Sequence, residues 1–284
     1  ARCFENAINR PGRPHIPVRR FQWSGENHHL GRADGAVRLI DELAARRDEH
    51  RRRVLLWGHS HAGNVFALAS HLLAGDPRAV NAMFNAAEIY YRWPLLPLVD
   101  IPVWQRTRRR LESTPSPLNA ELDIVTFGAP IRYSWNAKGY GKLLHFINHR
   151  PAEGLPEYRA AFPPKLNDLM TAADGDYVQQ LGIAGTNLAP SVLAWRSRLA
   201  NRRLHELLQS GLPAAKQAER FAAGAIVPDA GTTLLVDYGP LDGGIARHMA
   251  GHALYTTSPW LLFHAEETVR WLYSDPPDKT DASR

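Results

Sequence analysis

Val54-Leu55-Leu56-Trp57-Gly58-His59-Ser60-His61-Ala62-Gly63-Asn64-Val65 decides how this chain is read. A short apolar run reaches a glycine, then a serine between two histidines, then two small residues. Val65, Leu68, Ala69, Leu72 and Leu73 follow at helical spacings of three and four. The order is strand, sharp turn, helix, with a serine at the apex. Small residues are needed two positions either side of that serine, because larger ones collide across the turn. Gly58 meets the first requirement, and Ala62, backed by Gly63, the second. A serine N-capping a helix is the plainer alternative. The strand before Ser60 and the helix after it favour an exposed nucleophile.

Upstream, Val18 to Trp23 alternates as a strand and Ser24-Gly25-Glu26-Asn27 turns the chain. Gly35 to Arg47 has helical periodicity through Val37, Ile40, Leu43 and Ala44. Arg53 to Trp57 reads as a buried strand, so the order β-α-β-turn-α argues for a parallel sheet with crossover helices. Downstream, Ala86 to Leu118 is rich in Trp and Pro and reads as an irregular helical excursion. Glu121 to Phe127 and Leu143 to Asn148 read as strands. Ser191 to Gln209 reads as a helix inside a long stretch without clear strands. Thr232 to Tyr238 reads as the last strand and Leu261 to Tyr273 as a closing amphipathic helix.

With 284 residues the chain is long enough for a large α/β core, and 44% hydrophobic against 22% charged residues is an ordinary globular balance. No run of about 18 apolar residues marks a membrane span. The first residues, Ala1-Arg2-Cys3-Phe4, lack the apolar core of a signal peptide. The single cysteine, Cys3, allows no internal disulfide. Both observations lean toward the cytoplasm. The net charge of +6 is concentrated at Arg46-Arg47, Arg51 to Arg53, Arg106 to Arg110 and Arg196 to Arg203. Aromatic residues do not interleave with these arginines as in a nucleic-acid groove, so solvated helix faces are expected and nucleic acid is not. Contact with an anionic membrane surface stays open. His59 with His61, or His28 and His29 with Asp34, are the only metal candidates, and no H-E-x-x-H or Cys pair supports them. No metal or other cofactor is expected.

Four stretches resemble one superfamily. The Gly58-His59-Ser60-His61-Ala62 turn resembles the nucleophile elbow of the α/β-hydrolases, with alanine in place of the usual second glycine. Thr126-Phe127-Gly128-Ala129-Pro130 is similar to a segment that follows a central strand in lipase-like members. Asp174-Gly175-Asp176-Tyr177-Val178 resembles their acid-bearing element, and Gly251-His252-Ala253-Leu254-Tyr255 their histidine loop. The order Ser60, Asp176, His252 is the one that fold requires. The resemblance spans about residues 18 to 273. It implies a single α/β-hydrolase domain over 1–284: a mostly parallel central sheet, helices on both faces, and cap or insert segments near 86–118 and 187–222.

It also implies a lipase- or esterase-like serine hydrolase of carboxylic esters, plausibly lipid ones, working through an acyl-enzyme. A serine hydroxyl needs a base, and the base needs an orienting carboxylate. His252 is the expected base, with His248 the runner-up and His264 a rival inside the last helix. Asp176 is the expected acid, with Asp174 nearest and Asp168 and Asp237 more remote. The backbone N–H of His61 is one expected oxyanion donor. No His-Gly segment ahead of the turn supplies a second. His59 and His61 side chains are expected to pack or line the pocket. The competing expectation is a non-catalytic α/β-hydrolase-like binding protein. A small-molecule or lipid ester is the expected partner, and the oligomeric state is not encoded in any of these patterns.

Overall fold

The computed structural model describes residues 2–9, 15–46, 53–93, 98, 100–113, 118, 120–159, 166–184, 187–208, 226–239 and 248–274. Four parallel strands form its sheet in the order β1-β2-β3-β4: β1 (Arg53–His59), β2 (Glu121–Phe127), β3 (Leu143–Asn148) and β4 (Thr232–Val236). The helices are α1 (Arg2–Ile8), α2 (His29–Ala45), α3 (His61–Leu73), α4 (Pro77–Tyr91), α5 (Pro102–Ser113), α6 (Leu166–Thr171), α7 (Tyr177–Ala184), α8 (Trp195–Leu208) and α9 (Ser258–Tyr273). The class is therefore α/β.

The period of two along each strand sends its residues to two cores. Leu122 and Ile124 of β2 join Leu56 of β1 in the larger core, with α2, α3, α4, α5 and α8 laid over it. Val125 and Phe127 point to the opposite face. There they meet Leu144 and Phe146 of β3, Tyr238, Tyr255 and α9. β2 and β3 are buried nearly end to end, as expected for parallel strands covered on both faces.

Three expectations change. Val18 to Trp23 forms no strand and pairs with none among the described residues, so the described sheet begins at β1. Phe21 and Trp23 still pack against the larger core. Their alternation marks a half-buried segment without specifying a hydrogen-bonding neighbour. Second, α2 starts at His29 instead of Gly35, because His28 serves as its N-cap through Nδ1, which accepts the Gly31 N–H at 2.8 Å. Third, the helices within the described parts of the 86–118 and 187–222 segments are built into the core, through Ala87 and Trp104 on α4 and α5 and Ala200 and Leu204 on α8, while residues 187–194 form a loop ahead of α8. Residues 94–97, 99, 114–117 and 209–222 of those segments lie outside the described residues, as do Arg47, Arg51 and Arg52.

Candidate active site

The turn between β1 and α3 holds Ser60 at φ 57° and ψ −128°, a conformation that L side chains rarely adopt. Two backbone bonds hold it there. The Ser60 N–H donates to the Phe127 carbonyl at the end of β2 (2.8 Å), and the Gly63 N–H donates to the Ser60 carbonyl (3.0 Å). A Cβ on Gly58 would lie 2.9 Å from the Ala62 Cβ and overlap the Phe66 ring, and one on Gly63 would overlap Ala129. The need for small residues around the turn is thus steric, and Ala62 fits beside Gly58. The Ser60 side chain makes no capping bond, so the plainer N-cap alternative is not what the geometry shows.

Asp176 reaches the end of β3 despite the long excursion that separates it from Asn148. The chain returns antiparallel to its own departure: His149 bridges Gly175, and the Arg150 N–H donates to the Asp174 carbonyl (3.0 Å). The Asp176 N–H then donates to the Asn148 carbonyl at 2.9 Å. Gly175 (φ 123°) and Gly251 (φ 87°) let three backbones meet here. A Cβ on Gly175 would overlap the Asn148 carbonyl, and one on Gly251 the Gly175 carbonyl. The Asn148 side-chain amide donates to the Gly251 carbonyl (3.1 Å), and the Tyr177 N–H to the Ala250 carbonyl (3.0 Å).

The buried Asp176 carboxylate collects three donors. Oδ1 accepts the Gln179 N–H at 2.8 Å; Oδ2 accepts His252 Nδ1–H at 2.7 Å and the Tyr255 hydroxyl at 3.1 Å. Tyr255 is itself held, because its oxygen accepts the Asn148 N–H at 2.7 Å. His59 completes the setting. Its Nε2–H donates to the His252 carbonyl (2.9 Å), and the two rings lie 4.4 Å apart, tilted by 37°. A carbonyl only accepts, so this bond fixes the proton of His59 on Nε2.

The rivals are engaged elsewhere. Asp174 accepts the Tyr177 hydroxyl (2.8 Å), and Asp237 pairs with both arms of Arg150 (3.0 and 2.9 Å). Asp168 lies in α6. His264 meets the Tyr238 hydroxyl (2.7 Å) among Phe127 and Phe146, and His248 Nδ1 accepts the Gly251 N–H at 3.3 Å. Among the hydrogen bonds of the described residues, none joins Ser60 to His252. The two stand at the same carboxyl edge of the sheet, linked through His59.

The N-terminal halves of α2 and α3 pack together: a Cβ on Gly35 would stand 3.1 Å from Val65. Arg32, fully buried on α2, donates to the Tyr133 hydroxyl (3.2 Å), to Asn187 Oδ1 (2.9 Å) and to Asn27 Oδ1, all neutral acceptors. Burial lowers His61 to about 4, and the charges of Arg32, His252 and Arg132 act in the same direction. His29 falls to about 3 through burial and then Arg32 and Arg132. His59 falls to about 4, chiefly through burial. Neutral imidazoles and buried guanidinium charge thus surround the start of α3. The His61 N–H belongs to that first turn, whose donors have no partner inside the helix.

The sequence left Tyr255, Arg32, Tyr133 and Asn187 without roles and gave His59 only a packing or pocket-lining one. The three-residue step from His252 to Tyr255 was the available signal. Among the described residues, no group of three or more His, Cys, Asp or Glu side chains could hold a metal ion, and no helix is long and apolar enough to cross a membrane. Comparison with protein-family models, curated proteins and solved structures finds no match for the chain.

Proposed function

We infer that the chain is a serine hydrolase of carboxylic esters, of the α/β-hydrolase kind. The observation that carries this reading is the 2.7 Å bond from His252 Nδ1–H to the buried Asp176, at the same sheet edge as the strained Ser60 turn. Ser60 Oγ attacks the ester carbonyl while His252 Nε2 takes its proton. Asp176 holds the imidazole in the tautomer that leaves Nε2 free to accept, and the His59 bond to the His252 carbonyl holds the backbone that carries it. Charge developing on the carbonyl oxygen meets the His61 N–H, the α3 N-terminus and the positive surroundings supplied by Arg32. His252 then protonates the leaving alcohol, and water hydrolyses the acyl-enzyme by the same route. Serine–histidine hydrogen bonds are often open in a free enzyme and tighten with substrate, so the lack of one here is compatible with catalysis.

That same lack motivates a second reading, a non-catalytic α/β-hydrolase-like binding protein. A fluorophosphonate probe separates the two. The first reading expects labelling of the intact protein that Ser60→Ala abolishes and His252→Ala greatly weakens. A folded intact protein that stays unlabelled would favour the second.

A further inference from the structure

The loop before α8 has an unusual surface. Leu188, Val192, Leu193 and Trp195 are 67, 75, 90 and 52% exposed. They are not the inner face of α8, which is already buried through Ala200 and Leu204. Val192 and Leu193 occupy the tip of a turn closed by the Ala194 N–H on the Ser191 carbonyl (2.9 Å). Both ends of the loop are anchored. On one side the Leu188 N–H donates to the Asn27 carbonyl (2.8 Å), and Asn187 contacts His29 and Arg32. On the other, Arg196 donates to the Ile89 and Tyr90 carbonyls (2.7 and 3.0 Å) with its guanidinium 5.2 Å from the Trp93 ring, and Trp195 packs edge-on against Trp93 at 5.6 Å. Two fixed ends with two aliphatic side chains at the tip make a rigid apolar projection, beside the first turn of α2.

Along the chain this segment carries charge of one sign, while Glu26 and Glu88 adjoin its anchors at Asn27 and Ile89. From Asn187 to His205 the chain carries Arg196, Arg198, Arg202 and Arg203 and no acidic residue. Arg198 and Arg203 are exposed and make no ion pair among the described residues, while Arg202 pairs with Glu206 (3.1 Å). An exposed aliphatic tip with an interfacial tryptophan and flanking arginines suits an anionic lipid surface: the tip enters the acyl boundary and the guanidiniums meet the headgroups.

We propose that the Leu188–Trp195 loop, together with Arg198 and Arg203 of the helix that follows it, docks the protein onto anionic lipid surfaces. This rests on the ester-hydrolase reading only in its purpose, which is to present lipid esters beside Ser60. The test is co-sedimentation with phosphatidylcholine vesicles, with and without phosphatidylserine. The intact protein and its Ser60→Ala variant are expected to bind equally, only when phosphatidylserine is present, and less in high salt. The Val192→Asp/Leu193→Asp and Arg198→Glu/Arg203→Glu pairs should each lower partitioning by about 10- to 100-fold. All four positions are exposed, so thermal melts should match the intact protein. No binding by the intact protein, or undiminished binding by both pairs, overturns the proposal. So does an intact dimer that the aspartate pair turns into a monomer, since that assigns the tip to a second copy. Fluorophosphonate labelling without vesicles reports on the hydrolase reading separately.

Discussion

At Asp176 three donors converge on one buried carboxylate, and the Tyr255 hydroxyl is the one that also ties down β3 through the Asn148 N–H. Tyr255→Phe removes a donor from Asp176 and an acceptor from Asn148 while keeping the ring. Leaving buried polar groups unmatched should destabilise the fold by about 1–3 kcal/mol, read by urea denaturation, and slow labelling at Ser60. An unchanged urea midpoint would mean that water replaces the hydroxyl. His59 acts on His252 through its ring and its Nε2–H. His59→Phe keeps an aromatic neighbour but loses the bond to the His252 carbonyl. Once an ester substrate is in hand, kcat should fall roughly tenfold with KM little changed. His59→Gln, which keeps a donor, should recover part of the loss. A rise in KM alone would make His59 a wall of the pocket and not a holder of the base.

The turn between β1 and α3 works because its glycines admit neighbours. Gly63→Ala places a methyl against Ala129, so α3 must shift from the end of β2. The expected outcome is a loss of about 1–3 kcal/mol of stability together with slower labelling, since Ser60 rides on that helix. A stable and fully reactive variant would show that the helix yields without moving Ser60. Much of this element was legible: the turn, β2 and β3 lie where periodicity and small residues put them. The Val18–Trp23 strand was misread because alternation reports burial on one side, and pairing depends on a neighbour the pattern does not name. The proximity of Asp176 to Asn148 was illegible for a related reason. It depends on the antiparallel return at His149–Gly175 and on backbone contact at Gly175 and Gly251, neither of which has a side-chain signature. The Arg32 cluster was hidden because two of its partners, Tyr133 and Asn187, come from segments far away in the sequence, and only Asn27 is local.

Among the described residues, burial favours the neutral form of several histidines: His59, His61, His145 and His264 fall to about 4 and His29 to about 3, and His28 and His149 are lowered too. In the unfolded chain each takes up its proton near 6.5. Between that value and about 4 the unfolded state binds more protons, so stability is full above pH 6.5 and declines as the pH falls through this window. Calorimetric melting temperatures should drop steadily from pH 7 to pH 4.5. A flat profile would mean that these rings are charged in the folded protein or that opposing groups cancel them. The fall should precede any change in helix content, because the rings sit in the two cores and at the sheet edge, not in the exposed helix faces.

The return of the chain to β3 also sets an order in time. Ser60, Asp176 and His252 lie on segments joined only by contacts between parts of the chain far apart in sequence, and such closures are slow. Helices α3, α4 and α5 can form from local contacts, but the strained Ser60 turn leans on Phe127, and Asp176 has no place until Gly175 and Gly251 have met. During refolding from urea, the circular dichroism of the helices should therefore recover before fluorophosphonate labelling does. A nascent chain emerging in sequence order would carry Ser60 without His252, the base of the proposed reading, until the later segment follows. On the hydrolase reading proposed above, reactivity would be withheld until the segment carrying His252 arrives, a built-in delay that needs no separate inhibitor.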